Sequence, residues 1–437
     1  MKTTKLFFMA ALALMTAACS NDDNDLTQQP QKAEGIPFTA TISLDQSATT
    51  RALTENGTTI EPTWAFGDKV ALIHNGVKDE MTVSAVNAGV ATITGTITGS
   101  PSGGDAVTII YPSDAADGTT GNVKSDWLSS QDGTLEGTSG TSIEEKYDVR
   151  KGSGALNASG TSLDGTVSLT NQNAIFKLTL KDIDGTNDVS ATSVVISDQT
   201  GVVTTVTPAS GFEKVMYVAL PTSATTLKFA VTDGTTNYFN MSSGLLLGTN
   251  FYQSTIKLAT VGDVILSTGK CAKAGTSGAV AKIVYVGSDN GEAAPYNHGL
   301  ALALSDANGS YTCKWKTSNT DAGHTKQTDK NNFTSESGLQ YNATHNSDTY
   351  PAFKAAIANN GTTAPTGCSS WFLASGYQWQ KMISTAGLSN LGLTGNTNYW
   401  SSTENSADKT WLFKSSNGSW SNRSKDLVYP VRACLAF

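Results

Sequence analysis

Apolar and polar residues alternate along most of the chain between residue 36 and about residue 258. Phe38, Ala40, Ile42 and Leu44 interleave with Thr39, Thr41 and Ser43, the two-residue period of a strand with one face buried. The pattern recurs at 69–74, 81–86, 90–97 and 106–111, with Gly, Asn, Asp and Ser turns between. A Gly/Ser/Thr-rich stretch from Ser113 to about Ser142 interrupts it, with Trp127 and Leu128 as isolated anchors, and reads as an elaborated loop. Alternation resumes at 165–169, 174–180, 193–197, 202–207, 215–220, 227–232 and 238–241. Helical periodicity is nearly absent here, so the pattern predicts two β-sandwiches in series, 36–150 and 151–260, with the boundary near Lys151.

The last third changes character. Pro351 opens a segment to Asn359 with Phe353 and Ile357 four apart and Gly361 beyond its end, which predicts a helix. Ser375-Gly-Tyr-Gln378 is a capping-box pattern, followed by Trp379, Met382 and Ile383 on one helical face and by Gly387 as a stop. Trp315, Trp371, Trp379, Trp400, Trp411 and Trp420 fall in this part, against Trp64 and Trp127 before it. Residues 261–437 therefore predict a separate α+β domain.

The first residues carry an address. Lys2 and Lys5 precede an apolar run from Leu6 to Ala18, too short to span a bilayer and ending in Ala17 and Ala18. This is the pattern of an export signal. With Cys19 at the junction it resembles a bacterial lipoprotein signal, in which Cys19 would carry the acyl chains (palmitate among them) that anchor the mature chain. Thr16 departs from the apolar residue usual three places before the junction. Ser20-Asn-Asp-Asp-Asn-Asp25 opens a linker over 20–35 and resembles the acidic export tag of surface lipoproteins, though a solvated linker has the same composition. The net charge is -8, only 15% of residues are charged and no basic cluster exists, which argues against nucleic acid and anionic membrane surfaces as partners.

Export also bears on the cysteines. Cys271, Cys313, Cys368 and Cys434 are even in number and confined to the last domain, so two disulfides are expected. Three connectivities remain open; joining the outermost two and the inner two would clamp the domain at its base. A zinc site is disfavoured, because the spacings are long and contain no C-x-x-C.

Two family resemblances extend this reading. Phe38-Thr-Ala-Thr-Ile42, Thr50-Arg-Ala52, Trp64-Ala-Phe-Gly-Asp-Lys-Val70, the 174–180 and Tyr217-Val-Ala-Leu-Pro221 segments and Leu247 to Leu258 resemble, in that order, the fimbrillin family, subunits of type V pili. The resemblance covers roughly 36–260 and implies two Greek-key, transthyretin-like β-sandwiches. It also implies a lipoprotein precursor at the outer membrane. An Arg-specific protease would then cut after Arg51, leaving Ala52 as the new N-terminus and removing 36–51 with the anchor. A strand from a neighbouring subunit would enter the groove by donor-strand exchange. Arg51 is the only Arg before Arg150.

Gly299-Leu-Ala-Leu-Ala-Leu304, Cys368-Ser-Ser-Trp-Phe-Leu-Ala-Ser375, Tyr399-Trp-Ser-Ser-Thr-Glu404 and Val428-Tyr-Pro-Val-Arg-Ala-Cys434 resemble the C-terminal domain of bacterial collagen-like adhesins, related to the C-type lectin-like fold. Phe372 and Ala374 replace that family's basic residue and Pro. Such a fold does not by itself make a lectin. Glu-Pro-Asn, Gln-Pro-Asp and Trp-Asn-Asp calcium motifs are all missing. Glu404, Asn405 and Asp408 supply nearby oxygens, for which a polar loop is the expected account and calcium the alternative. Trp411 and Trp420 flank the 415–419 turn; core packing of at least one is the first expectation, and flat faces offered to a glycan or peptide the alternative.

Nothing points to catalysis. His74, His298, His324 and His345 are scattered, Asp263, Asp289 and Asp306 form no assignable pair, and neither H-E-x-x-H, G-x-S-x-G nor a phosphate loop occurs. No cofactor is expected. The combined expectation is a pilus tip subunit that accepts a strand, has none of its own to offer, and presents a lectin-like adhesin domain to a host or bacterial glycan or protein. Its alternative is a surface lipoprotein that displays the same domain without polymerising.

Overall fold

The computed structural model describes residues 35–44, 54–56, 59–61, 63–137, 140–243, 247–307 and 312–437. In the first strand, Ile36–Leu44, the sequence alternation becomes alternation of burial: Phe38, Ala40 and Ile42 are buried, while Thr39 is exposed. This strand is one stave of a closed barrel whose order continues through Val167–Asn171, Arg150–Ala155, Ala106–Tyr111, Lys69–His74, Val77–Asn87 and Val90–Ile97. Trp64, Leu72, Met81, Ile93, Ile109 and Leu169 pack inside it.

Two expectations change here. The first unit's ladder is continuous around a barrel where the pattern suggested two facing sheets, and it runs on past the boundary expected near Lys151. Arg150–Ala155 and Val167–Asn171 both belong to the barrel. The sequence hides the first of these because Lys151-Gly-Ser-Gly has almost no apolar alternation. Its glycines are there for close passage: a Cβ on Gly152 would lie 2.5 Å from the Ser168 carbonyl oxygen.

The second unit is a two-sheet sandwich. One sheet holds Val215–Pro221, Asn173–Asp182 and Phe251–Leu258, the last two parallel. The other runs Asn237–Ser243, Thr226–Thr232, Ser193–Ser197, Val202–Val206 and Ser130–Gln131. Leu178, Val194, Ile196, Met216 and Phe229 fill the space between. Ser130–Gln131 comes from the long Gly/Ser/Thr-rich stretch, which is a strap from the barrel onto the second unit. Gln131 donates from Nε2 to the Ala219 carbonyl and accepts the Ala219 N–H at Oε1, both at 2.8 Å, replacing a pair of ladder bonds with a side chain.

The terminal unit is α+β. Its six-stranded sheet runs Cys271–Ala272, Val264–Leu266, Ala279–Val286, Gly299–Ala303, Ala433–Ala436 and Phe372–Leu373. A second sheet joins Asn398–Glu404, Lys409–Lys414 and Trp420–Ser424. Three α-helices pack around them: α1, Gly338–Thr344; α2, Pro351–Ala358; and α3, Gly376–Ala386. α2 begins at its proline, and α3 has both bonds of the Ser375/Gln378 capping box and ends at Gly387, as the sequence indicates. The short polar α1 carries no apolar period from which it could be read. Among the described residues no helix is long and apolar enough to cross a membrane.

The second and terminal units share a core. Phe239 of the sandwich lies 4.6 Å from Phe437 and 5.5 Å from His298, centroid to centroid, and joins a cluster with Trp315, Phe353, Trp371 and Trp400. We expect Phe239→Ala to cost about 3–5 kcal/mol in denaturant unfolding and to separate one cooperative transition into two. A midpoint equal to that of the unaltered protein would contradict the shared core.

Candidate functional site

The first candidate site is the slot that Ile36–Leu44 occupies. The strand pairs antiparallel with Val90–Ile97 from Ile36↔Ile97 to Ser43↔Val90, and parallel with Val167–Asn171 only at Ile42, Ser43 and Leu44. Ala40 sits opposite Ile93, Ile42 opposite both Ala91 and Val167, and Leu44 opposite Leu169. Withdrawing it would uncover two strand edges and empty the positions of Phe38, Ala40 and Ile42, each large buried side chain being worth about 1.5–3 kcal/mol. The slot thus matches one extended strand with apolar residues at every second position. Cys19, Arg51 and Ala52 lie outside the described residues.

The terminal domain rearranges the expected ligand site. Glu404 is fully buried and turned inward. One oxygen accepts from the Ala322 N–H at 2.9 Å and from the Lys425 ammonium; the other accepts from the His324 N–H at 3.0 Å and the Lys326 ammonium at 2.6 Å. Lys425, itself buried, also reaches the Ala407 and Thr320 carbonyls and lies 5.2 Å from the Trp315 ring centroid. Burial holds its ammonium below the ordinary lysine range, against the pull of Glu404. A buried carboxylate needs such complete pairing to be tolerated, so Glu404 is a structural counter-ion and not a ligand oxygen.

Asn405 bonds back to Lys409, and exposed Asp408 accepts from Ser406 Oγ at 2.7 Å, which lowers its pKa. With Glu404 engaged inside, the three do not converge on a calcium site. Among the described residues no group of three His, Cys, Asp or Glu is placed to hold a metal ion. Trp411 is only 4% exposed and donates from Nε1 to the Gln327 carbonyl at 2.6 Å. Half-buried Trp420 packs on Phe333 and Phe413 at 4.7 and 5.7 Å. Trp411 is thus interior packing, since strand alternation puts it on the inner face and Phe333, from a loop without signal, covers it, while Trp420 keeps part of its surface exposed.

Among the described residues Cys271, Cys313, Cys368 and Cys434 are unpaired, so neither of the two expected disulfides is seen. Pairing of the outermost two is excluded by topology. Cys271 and Cys434 are four strand steps apart in one sheet, about 19 Å, against the roughly 7 Å Cα separation a disulfide spans.

A cleft that no sequence motif announces lies in the terminal unit. It has a volume of about 730 Å³ and is lined by Glu292, Tyr296, Ser337, Gln340, Asn342 and Ile357 among others. Glu292 accepts from Ser337 Oγ at 2.5 Å, Gln378 Nε2 at 2.6 Å and the Leu339 N–H at 3.2 Å, yet burial still raises its pKa. Lys228 of the sandwich donates to the Pro295 carbonyl and lies 5.5 Å from the Tyr296 ring centroid. Burial lowers that lysine to about 8. The wall combines the Tyr296 ring, several amides and the Ser337 and Ser370 hydroxyls with apolar Pro295, Leu339 and Ile357, a mixture suited to ligands of moderate size.

No protein-family model matches the chain, and no curated protein matches it. Among solved structures it is similar to a fimbrial protein from Bacteroides ovatus, at 13% identity and a TM-score of 0.32, over 92% of this chain and 99% of that one. It is also similar to a fimbrial assembly protein from Parabacteroides distasonis, at 13% identity and a TM-score of 0.29, over 51% of this chain and 90% of that one. Both scores are low, and function must come from the chain's own residues.

Two buried histidines make this region acid-sensitive. Burial first, then Lys228, lowers His298 from 6.5 to about 4; burial first, then His345, does the same to His324. The folded rings stay neutral where the unfolded chain would protonate them, so their contribution is complete above pH 6.5 and is lost as pH falls through 4. Each is worth up to about 3 kcal/mol over that window. Urea titrations at pH 7, 5.5 and 4.5 should give falling stability, with a shallower slope for His324→Gln; a flat profile would refute the assignment.

Proposed function

We propose that this chain is an adhesive fimbrial subunit placed at a pilus tip, whose barrel accepts a strand from a neighbouring subunit after its own first strand is removed. The observation that carries the proposal is the position of Ile36–Leu44: it is a separable stave, alternately apolar, and it precedes the chain's first arginine by seven residues. The precursor is exported and acylated at Cys19, which holds it at the outer membrane. Cleavage between Arg51 and Ala52 then frees it from the anchor and opens the slot. A donated strand gains the same two ladders and the same core positions.

The tip assignment rests on strands already engaged. Phe251–Leu258 is paired along its whole length with Asn173–Asp182 and leads into the terminal unit. Ala433–Ala436 lies between Gly299–Ala303 and Phe372–Leu373. Neither is available for donation. The terminal α+β unit, lectin-like in this reading, serves as the adhesin, and its contact surface is the cleft beside Tyr296 in place of the Trp411 and Trp420 faces. Its target is a surface glycan or protein, and no cofactor takes part.

N-terminal sequencing of the mature protein from intact cells should begin at Ala52, and Arg51→Ala should leave a lipidated monomer absent from fibres. Mature protein that keeps residues 36–50 together with its lipid would favour the non-polymerising surface lipoprotein. For the adhesin, a glycan array probed with the full chain should show binding that Tyr296→Ala weakens about tenfold or more; equal binding by both proteins would move the contact elsewhere.

A further inference from the structure

Three of the four thiols gather on one side of the terminal sheet. Along Ala433–Ala436, Ala433 and Leu435 join the cluster that holds Trp315 and Phe353, while Cys434 and Ala436 face the cluster of Trp379 and Phe413. Cys271, Cys313 and Cys368 all pack against the first cluster. The sheet itself separates Cys434 from them.

Of those three, two come from segments in direct backbone contact. The turn between Val264–Leu266 and Cys271–Ala272 is closed by Gly269 N–H to the Leu266 carbonyl and Leu266 N–H to the Lys270 carbonyl. Gly269, at φ +86°, presses on Thr366 so closely that a Cβ there would collide with the Thr366 carbonyl oxygen. Two residues beyond Gly269 is Cys271, and two beyond Thr366 is Cys368, at the end of a turn bonded from its N–H to the Pro365 carbonyl. Cys271 and Thr366 line one cleft. The charge on a Cys368 thiolate is felt at Cys271, adding to the burial that raises both thiols to about 12. Cys313 is held elsewhere, in a short ladder with Val428–Tyr429, and its carbonyl accepts from Trp400 Nε1 at 2.9 Å.

We propose that Cys271 and Cys368 are the one disulfide-forming pair of this protein, and that Cys313 and Cys434 remain thiols. The bond would form by exchange with a disulfide donor: the thiolate of one cysteine attacks a donor sulfur and releases one donor thiol. The second cysteine then attacks the mixed disulfide, releases the other donor thiol and closes the S–S bond, each cysteine having lost its proton. The two electrons pass to the donor. The bond would fasten the 264–272 hairpin to the loop entering Phe372–Leu373, beside the seam where Asn240, Met241 and Lys257 of the second unit line the same cleft.

The test is independent of export and of any pilus. Full-length protein is equilibrated with oxidised glutathione, alkylated with iodoacetamide in denaturant without reductant, digested and mapped by mass spectrometry. The expected result is a peptide pair linked through Cys271 and Cys368, with Cys313 and Cys434 alkylated. Alkylation or glutathione capping of Cys271 and Cys368, or linkage of either to Cys313 or Cys434, would overturn the proposal. Oxidised protein should also melt several degrees above reduced protein, a difference that Cys271→Ser abolishes. An equal difference in that variant would place the bond elsewhere.

Discussion

The backbone ladder between Ile36–Ser43 and Val90–Ile97 is the constraint on which the first unit depends. A closed barrel has no edges only while every stave is present. Here the closing stave is held by main-chain hydrogen bonds and three inward side chains, with only three register positions on its other side. Each main-chain group left buried without a partner costs about 1–3 kcal/mol, so the barrel cannot simply do without that strand. What it requires is a strand of this pattern, and nothing in the ladder distinguishes the chain's own from another.

How far the fold can be read from the sequence depends on whether side chains or backbone make the contacts. Val194, Ile196, Met216 and Val218 lie on strands whose alternation is plain, and the two helices with caps begin where Pro351 and Ser375 place them. The barrel stave Arg150–Ala155 escapes notice because Gly152 and Gly154 contribute close backbone approach in place of apolar side chains. The strap fails for a related reason: Gln131 joins the second unit through an amide that mimics a peptide group, and no apolar period accompanies it.

The terminal domain's chemistry was less legible for a different reason. Glu404 in the sequence is a carboxylate beside Asn405 and near Asp408, and only the fold reveals that Lys326 and Lys425 meet it inside. A charge and its partner separated by 78 or 21 positions leave no local signature. The cleft at Tyr296 is similarly dispersed, built from a loop, α1 and α2. Of the tryptophans that mark this third of the chain in the sequence, Trp315, Trp371, Trp379 and Trp400 are buried in its interior.

The strap has a consequence for load. Barrel and second unit are joined by the chain passing from Asn171 to Asn173 and again by the strap, where Ser130–Gln131 pairs with Thr205–Val206 of the sandwich's own sheet and Leu135, Ile143 and Tyr147 pack on Ile175 and Ala219. Tension along the molecule therefore divides between a covalent path and a hydrogen-bonded one, and bending about the first is resisted by the second. The Phe239 core stiffens the next joint in a comparable way. Each unit is thus tied to the next by more than the chain that links them.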